Sequence, residues 1–159
     1  MPEFPARDLA YVMRLDEIGW GCLLLALSIA IHGTGAFLIL RMTTAIAERL
    51  EQTRKRFRSV RLAIMIFSVW LIVLLHLTEI ALWAGFFVWK DAQPNIFSAY
   101  YNALLNYTTL AAGYLPLRWR LLEGMLGMTG LLAFAWSTTI LFSFAPKFIH
   151  EALQEREPK

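Results

Sequence analysis

The chain has 159 residues, of which 58% are hydrophobic, and its mean hydropathy is +0.52. This apolar excess is larger than that of an ordinary soluble domain and predicts a single-domain membrane protein. The net charge is +3, but the basic residues lie between hydrophobic segments, where they report membrane topology, so we expect no nucleic-acid partner. The only cysteine, Cys22, cannot form an internal disulfide.

The amino-terminal half reads as a tail, a membrane span and a basic connector. Residues 1–17 lack the positive start and cleavage site of a signal peptide, and they predict either an interfacial helix or a disordered tail. Residues 18–40 predict the first transmembrane helix, because about 20 apolar residues cross the hydrocarbon core. Residues 41–63 favour a solvated cytoplasmic loop over a helical hairpin or an interfacial helix that contacts anionic lipid.

The carboxy-terminal half contains two further spans with an unusual segment between them. Residues 64–89 predict the second transmembrane helix, residues 121–144 the third, and residues 145–159 a cytoplasmic tail after Pro146, which is expected to stop the helix. Residues 90–120 contain a short apolar helix, at 96–107, and then a loop of small residues. Since that helix is too short to cross a bilayer, the segment predicts a re-entrant pore helix and filter-like loop.

The basic residues also predict the orientation. Seven arginine and lysine residues lie in the connector, against two in the amino-terminal tail and three on the side of the predicted pore loop. Because basic loops stay on the cytoplasmic side, we expect the amino terminus and the pore loop outside and the carboxyl terminus inside.

Three sequence runs carry a resemblance to a known family. Tyr107-Thr108-Thr109-Leu110 resembles the Tyr-Thr-Thr-Leu that precedes Gly-Tyr-Gly-Asp in small bacterial potassium-channel-like proteins of the ion-channel-domain type. Trp119-Arg120-Leu121-Leu122 and Phe134-Ala135-Trp136-Ser137-Thr138 resemble the same group. The resemblance implies an all-α membrane protein of the bacterial inner membrane. Three transmembrane helices and a re-entrant pore helix per subunit would form a homotetramer around a pathway for K⁺ or another monovalent cation.

The chain departs from that group in the filter itself. In an ungapped alignment, Ala111 replaces the first filter glycine, Ala112 the filter tyrosine and Tyr114 the aspartate. Alanine in a left-handed conformation costs roughly 1 to 2 kcal/mol. The resemblance therefore implies a pore with weak or altered selectivity, and the alternative is a non-conducting channel-fold protein that acts as a structural or regulatory partner. The filter-like ion pathway is predicted to comprise Thr108, Thr109, Leu110, Ala111, Ala112, Gly113 and Tyr114.

Small and hydroxyl residues mark the third predicted span. Gly127, Gly130, Ser137 and Thr138 are candidates for a pore-lining surface with a hinge. Small residues also allow helices to approach closely in lipid, and this packing interpretation is slightly favoured for the glycines.

Three ionisable residues lie deep within the predicted spans, namely His32, His76 and Glu79. Such residues indicate a functional site by default. Three interpretations remain open: hydrogen bonds between the first two helices, a proton-sensing pair, or ligands for a metal ion. No metalloprotease, nucleotide-binding or nucleophile motif occurs in the sequence, so we expect no enzymatic activity and no cofactor.

Overall fold

The computed structural model describes Val12, residues 14–51, residues 58–110, Gly113 and residues 115–154. All regular structure in this part of the chain is helical. The elements are α1 (Leu15–Glu51), α2 (Arg58–Trp89), α3 (Ile96–Tyr107), a 3₁₀ turn (Leu117–Trp119) and α4 (Leu121–Gln154).

Three of these helices are long and apolar enough to cross a membrane. The candidate spans are Leu15–Arg49, Leu62–Trp89 and Leu117–Phe142. Their outward faces are apolar, as shown by Phe37, Trp70 and Phe134, which are 59%, 62% and 68% exposed. Continuous exposed apolar faces are unusual for a soluble protein and normal against lipid. The predicted all-helical class and the three membrane-capable helices are confirmed.

All three long helices extend beyond the predicted membrane spans, and α2 begins at Arg58, within the predicted connector. Helix α1 continues through the first part of the basic connector to Glu51, because residues 41–51 are rich in alanine, arginine and glutamate, which favour helix. Helix α4 continues through Pro146 to Gln154, so the expectation that proline stops this helix is wrong. Proline removes one hydrogen-bond donor, but its fixed φ is compatible with helical backbone. Residues 52–57 of the connector lie outside the described residues.

Helices α1, α2 and α4 each contribute to two compact units. The first unit contains the described residues up to Ala30 together with Thr78–Leu131, and thus all of α3. Its core holds Trp83, Phe87, Leu122 and Leu126, which are fully buried. The Trp83 indole N–H donates a hydrogen bond of 3.0 Å to the Ser28 hydroxyl, so the largest core side chain has its polar atom satisfied.

The second unit contains Ile31–Leu77 and the described residues from Leu132 onwards. Two glycines let α1 pack closely here. A Cβ atom on Gly33 would lie 3.0 Å from the Trp136 ring of α4, and one on Gly35 would overlap Leu75 of α2. The close approach brings polar groups of the three helices together within this unit.

Candidate pore loop and buried polar groups

Helix α3 begins after a defined cap. The Asn95 side chain accepts a hydrogen bond of 2.9 Å from the backbone N–H of Ser98, which satisfies one of the free donors of the first turn. The helix has 12 residues and therefore a length of about 18 Å, against ~30 Å for the hydrocarbon core. A helix of this length, between two membrane-capable helices, is too short to cross the hydrocarbon core.

The end of α3 is a tight reversal at Thr109. Leu110 N–H donates to the Leu105 carbonyl at 2.8 Å, and Thr109 N–H donates to the Asn106 carbonyl at 2.9 Å. This pair of bonds is a Schellman ending, whose left-handed residue is usually glycine. Here it is Thr109, with φ of +62°. A β-branched residue in this conformation costs roughly 1–2 kcal/mol, so the chain leaves the helix at a strained residue.

The described part of the predicted filter is exposed. Thr108, Thr109, Leu110 and Gly113 all belong to the exposed class, and Leu110 is 70% exposed. The Thr108 hydroxyl donates back to the Leu104 carbonyl at 2.9 Å, and Gly113 has φ of +76°. The remaining predicted filter residues, Ala111, Ala112 and Tyr114, lie outside the described residues.

The last turn of α3 packs against two glycines of α4. A Cβ atom on Gly127 would lie 3.3 Å from the Asn106 carbonyl oxygen, and one on Gly130 would overlap the Tyr107 carbonyl oxygen. Both glycines are buried. Their absent side chains thus allow direct contact of α4 with the α3 backbone, which favours the packing interpretation of these positions over a pore-lining one.

Tyr107 is also held through its side chain. Its phenol O–H donates a hydrogen bond of 2.9 Å to Oε2 of Glu79, and both residues are buried. The carboxylate of α2 is thereby tied to the last residue of α3. The sequence indicates Glu79 as a candidate site residue but does not indicate Tyr107 as its partner. Tyr107 is the first residue of the run Tyr107-Thr108-Thr109-Leu110.

His32 and His76 lie together in the second unit, with ring centroids 5.3 Å apart. The Ser137 hydroxyl oxygen lies 3.2 Å from Nε2 of each ring. Ser137 is a candidate for the pore-lining surface from the sequence, and within this unit it is buried beside the two histidines. Its neighbour Thr138 donates to the Phe134 carbonyl at 2.8 Å.

Two buried asparagines in α3 were not singled out by the sequence. Asn106 Nδ2 donates to Asn102 Oδ1 at 2.6 Å and to the Asn102 carbonyl at 2.9 Å. Asn102 Nδ2 and Asn106 Oδ1 have no hydrogen-bond partner within the described part of the chain. Their spacing of four residues in an otherwise apolar helix was the available signal.

The return of the loop into α4 is fixed by two carboxylates. Glu17 of α1 is fully buried and accepts a hydrogen bond of 2.7 Å from the Leu121 N–H, at the first residue of α4. Glu123 accepts one of 2.7 Å from the Leu115 N–H. Negative groups at a helix amino terminus satisfy free N–H donors and complement the helix dipole.

Comparisons with protein-family models, with curated proteins and with solved structures found no match to this chain.

Proposed function

We propose that this chain is a potassium-channel-like pore subunit that passes monovalent cations with weak or altered selectivity. The observation that carries the proposal is the arrangement around α3. A capped helix of 12 residues, too short to cross a bilayer, ends in an exposed non-helical segment at Thr108–Leu110, and membrane-capable helices precede and follow it. Such a segment at membrane depth requires a cavity or a protein surface around it.

Aromatic and basic residues at the start of this segment support its re-entrant course. The Lys90 ammonium lies 3.8 Å from the centre of the Trp89 ring and 4.4 Å from that of Trp20. Tryptophan and lysine concentrate at the membrane surface. Helix α3 begins six residues after Lys90, at Ile96, and so starts close to this surface.

One subunit supplies a single loop, so a pore requires several copies around an axis. We propose a homotetramer in closed cyclic symmetry, with K⁺ or another monovalent cation bound at the loop. We place it in the bacterial inner membrane with the amino terminus outside and the carboxyl terminus in the cytoplasm. The basic connector would then face the anionic lipid of the inner leaflet.

The alternative is a channel-fold protein that does not conduct and serves as a structural or regulatory partner. Two features favour it. Ala111 and Ala112 stand where the resembling family has glycine and tyrosine, and Gly127 and Gly130 are engaged in packing against α3.

Flux into liposomes tests these two functions. We expect purified protein to admit K⁺ and Na⁺ at similar rates and to exclude a large organic cation. Entry of all three cations would indicate a leak, and entry of none would favour the non-conducting alternative. The variant Ala111→Gly/Ala112→Tyr/Tyr114→Asp restores the family's filter sequence, and in a true pore scaffold it should raise K⁺ flux relative to Na⁺ flux.

A further inference from the structure

The second unit contains a buried serine hydroxyl that faces two imidazole rings. His32 is 1% exposed and Ser137 is 4% exposed, and His76 is half-buried. Both Nε2 atoms lie 3.2 Å from the same Ser137 oxygen. Because α1, α2 and α4 each supply one of these residues, the trio is a product of the fold and not of local sequence.

The Ser137 hydroxyl has a single proton, and this restricts the tautomers of the two histidine rings. A hydroxyl has one proton to donate and can also accept a hydrogen bond. Ser137 can therefore donate to Nε2 of only one histidine, and the other histidine must donate its own Nε2–H to Ser137. In the uncharged trio, one ring is consequently the Nε2–H tautomer and the other is the Nδ1–H tautomer.

Adding protons has unequal effects on this arrangement. A first proton on Nδ1 of the donating ring leaves both hydrogen bonds intact and makes one of them charge-assisted. A second proton would occupy the accepting Nε2, which removes the acceptor for the Ser137 proton. It would also place two positive rings 5.3 Å apart in a buried site. One added proton is thus compatible with both hydrogen bonds of the trio, whereas a second is not.

The same three helices also carry aromatic and charged side chains. From α4, the Trp136 ring packs on His32 with centroids 5.6 Å apart. The charged side chains that the structure describes in this unit are Arg41, Glu48 and Arg49, all exposed and at least nine residues along α1 from His32. Along α2, Glu79 follows His76 by three residues, and it accepts the hydrogen bond from the Tyr107 hydroxyl described above.

We propose that His32, Ser137 and His76 form a binding site for a single proton. In the charged form, the imidazolium Nε2–H proton passes to the Ser137 oxygen while the Ser137 proton passes to the other Nε2. The first ring is left neutral with its Nδ1–H, and the second becomes the imidazolium. The positive charge moves between α1 and α2 with no net gain or loss of protons. This site is independent of whether the chain conducts ions.

Nitrogen-15 NMR of labelled histidine in liposomes tests the site directly, because the shifts of Nδ1 and Nε2 distinguish both tautomers and the charged ring. His150→Asn removes the third histidine, and a chelator keeps metal ions off the rings. At pH 8 we expect two rings of opposite tautomer. On titration to pH 5, the range in which histidine ordinarily takes up protons, we expect one proton bound by the pair.

Matched variants test whether the opposed tautomers of the two histidines depend on the Ser137 hydroxyl. Ser137→Ala should abolish the opposed tautomers, whereas Thr138→Val, which removes the neighbouring hydroxyl, should preserve them. Identical tautomers in the His150→Asn protein, uptake of two protons or of none by the pair, or opposed tautomers that persist after Ser137→Ala would each overturn the proposal. The His150→Asn protein decides the question even if a further variant fails to fold.

Discussion

Tyr107 is the residue at which α3 is fixed from two sides. Its phenol is bonded to Glu79 of α2, and its carbonyl oxygen lies against Gly130 of α4. The next residues are Thr108 and Thr109, where the chain leaves the helix. The position of the exposed loop therefore depends on how firmly Tyr107 is held.

Removing the Tyr107 hydroxyl should loosen that loop. In Tyr107→Phe the ring stays but Glu79 loses a hydrogen bond, which is worth about 0.5–1.5 kcal/mol. We expect a lower melting temperature in detergent and faster amide hydrogen exchange at residues 108–110. Tyr101→Phe is the control, because Tyr101 lies on the same helix and is 62% exposed. Equal exchange in the two variants would show that the phenol does not position the loop.

The sequence indicates the buried ionisable residues but not all of their hydrogen-bond partners. Glu79, His32 and His76 stand out because ionisable groups are rare in apolar spans. Tyr107 is 28 residues from Glu79, and Ser137 is 105 residues from His32. Helical periodicity relates residues three or four positions apart, so only the packing of helices reveals these contacts.

The backbones of α3 and α4 are in contact, so alanine is tolerated at some glycines of α4 and not at others. Gly130→Ala would drive a Cβ atom into the Tyr107 carbonyl, whereas alanine at Gly124 would meet nothing within 4 Å. We expect Gly130→Ala to destabilise the protein by several kcal/mol or to prevent folding. Gly124→Ala should be neutral or stabilising by up to about 1 kcal/mol, from helix propensity alone. Thermal unfolding in detergent measures both, and an equal response would contradict the packing.

The ends of the helices show which local sequence signals are sufficient to predict where a helix begins and ends. The observed bounds of α3, Ile96–Tyr107, coincide with the predicted ones, because a turn with Pro94 and an Asn95 cap precede the helix. Helices α1 and α4 continue past the predicted membrane spans, because hydropathy marks where a membrane span stops and does not mark where a helix stops. Residues 41–51 and 145–154 are polar enough to leave the membrane and still favour helical backbone.

At the scale of the whole molecule, hydropathy is sufficient to predict the fold class, since three apolar segments of suitable length can be counted in the sequence.

The proposed tetramer follows from the single loop per chain, because a pore would need several loops around an axis. We expect a detergent-solubilised particle with about four times the chain mass of 18.2 kDa, measured by native mass spectrometry or by light scattering corrected for detergent. A particle with the mass of one chain would contradict the pore proposal.

The contact between Glu17 and the first residue of α4 has a consequence for how the protein is made. Glu17 belongs to α1, which leaves the ribosome before α4, and its partner N–H at Leu121 is 104 residues later in the chain. At synthesis rates of about 5–20 residues per second, the carboxylate waits roughly 5–20 s before that partner exists. During this interval α1 lacks the hydrogen bond that the start of α4 gives to its Glu17 carboxyl. This contact of α1 can therefore form only after α4 has been synthesised.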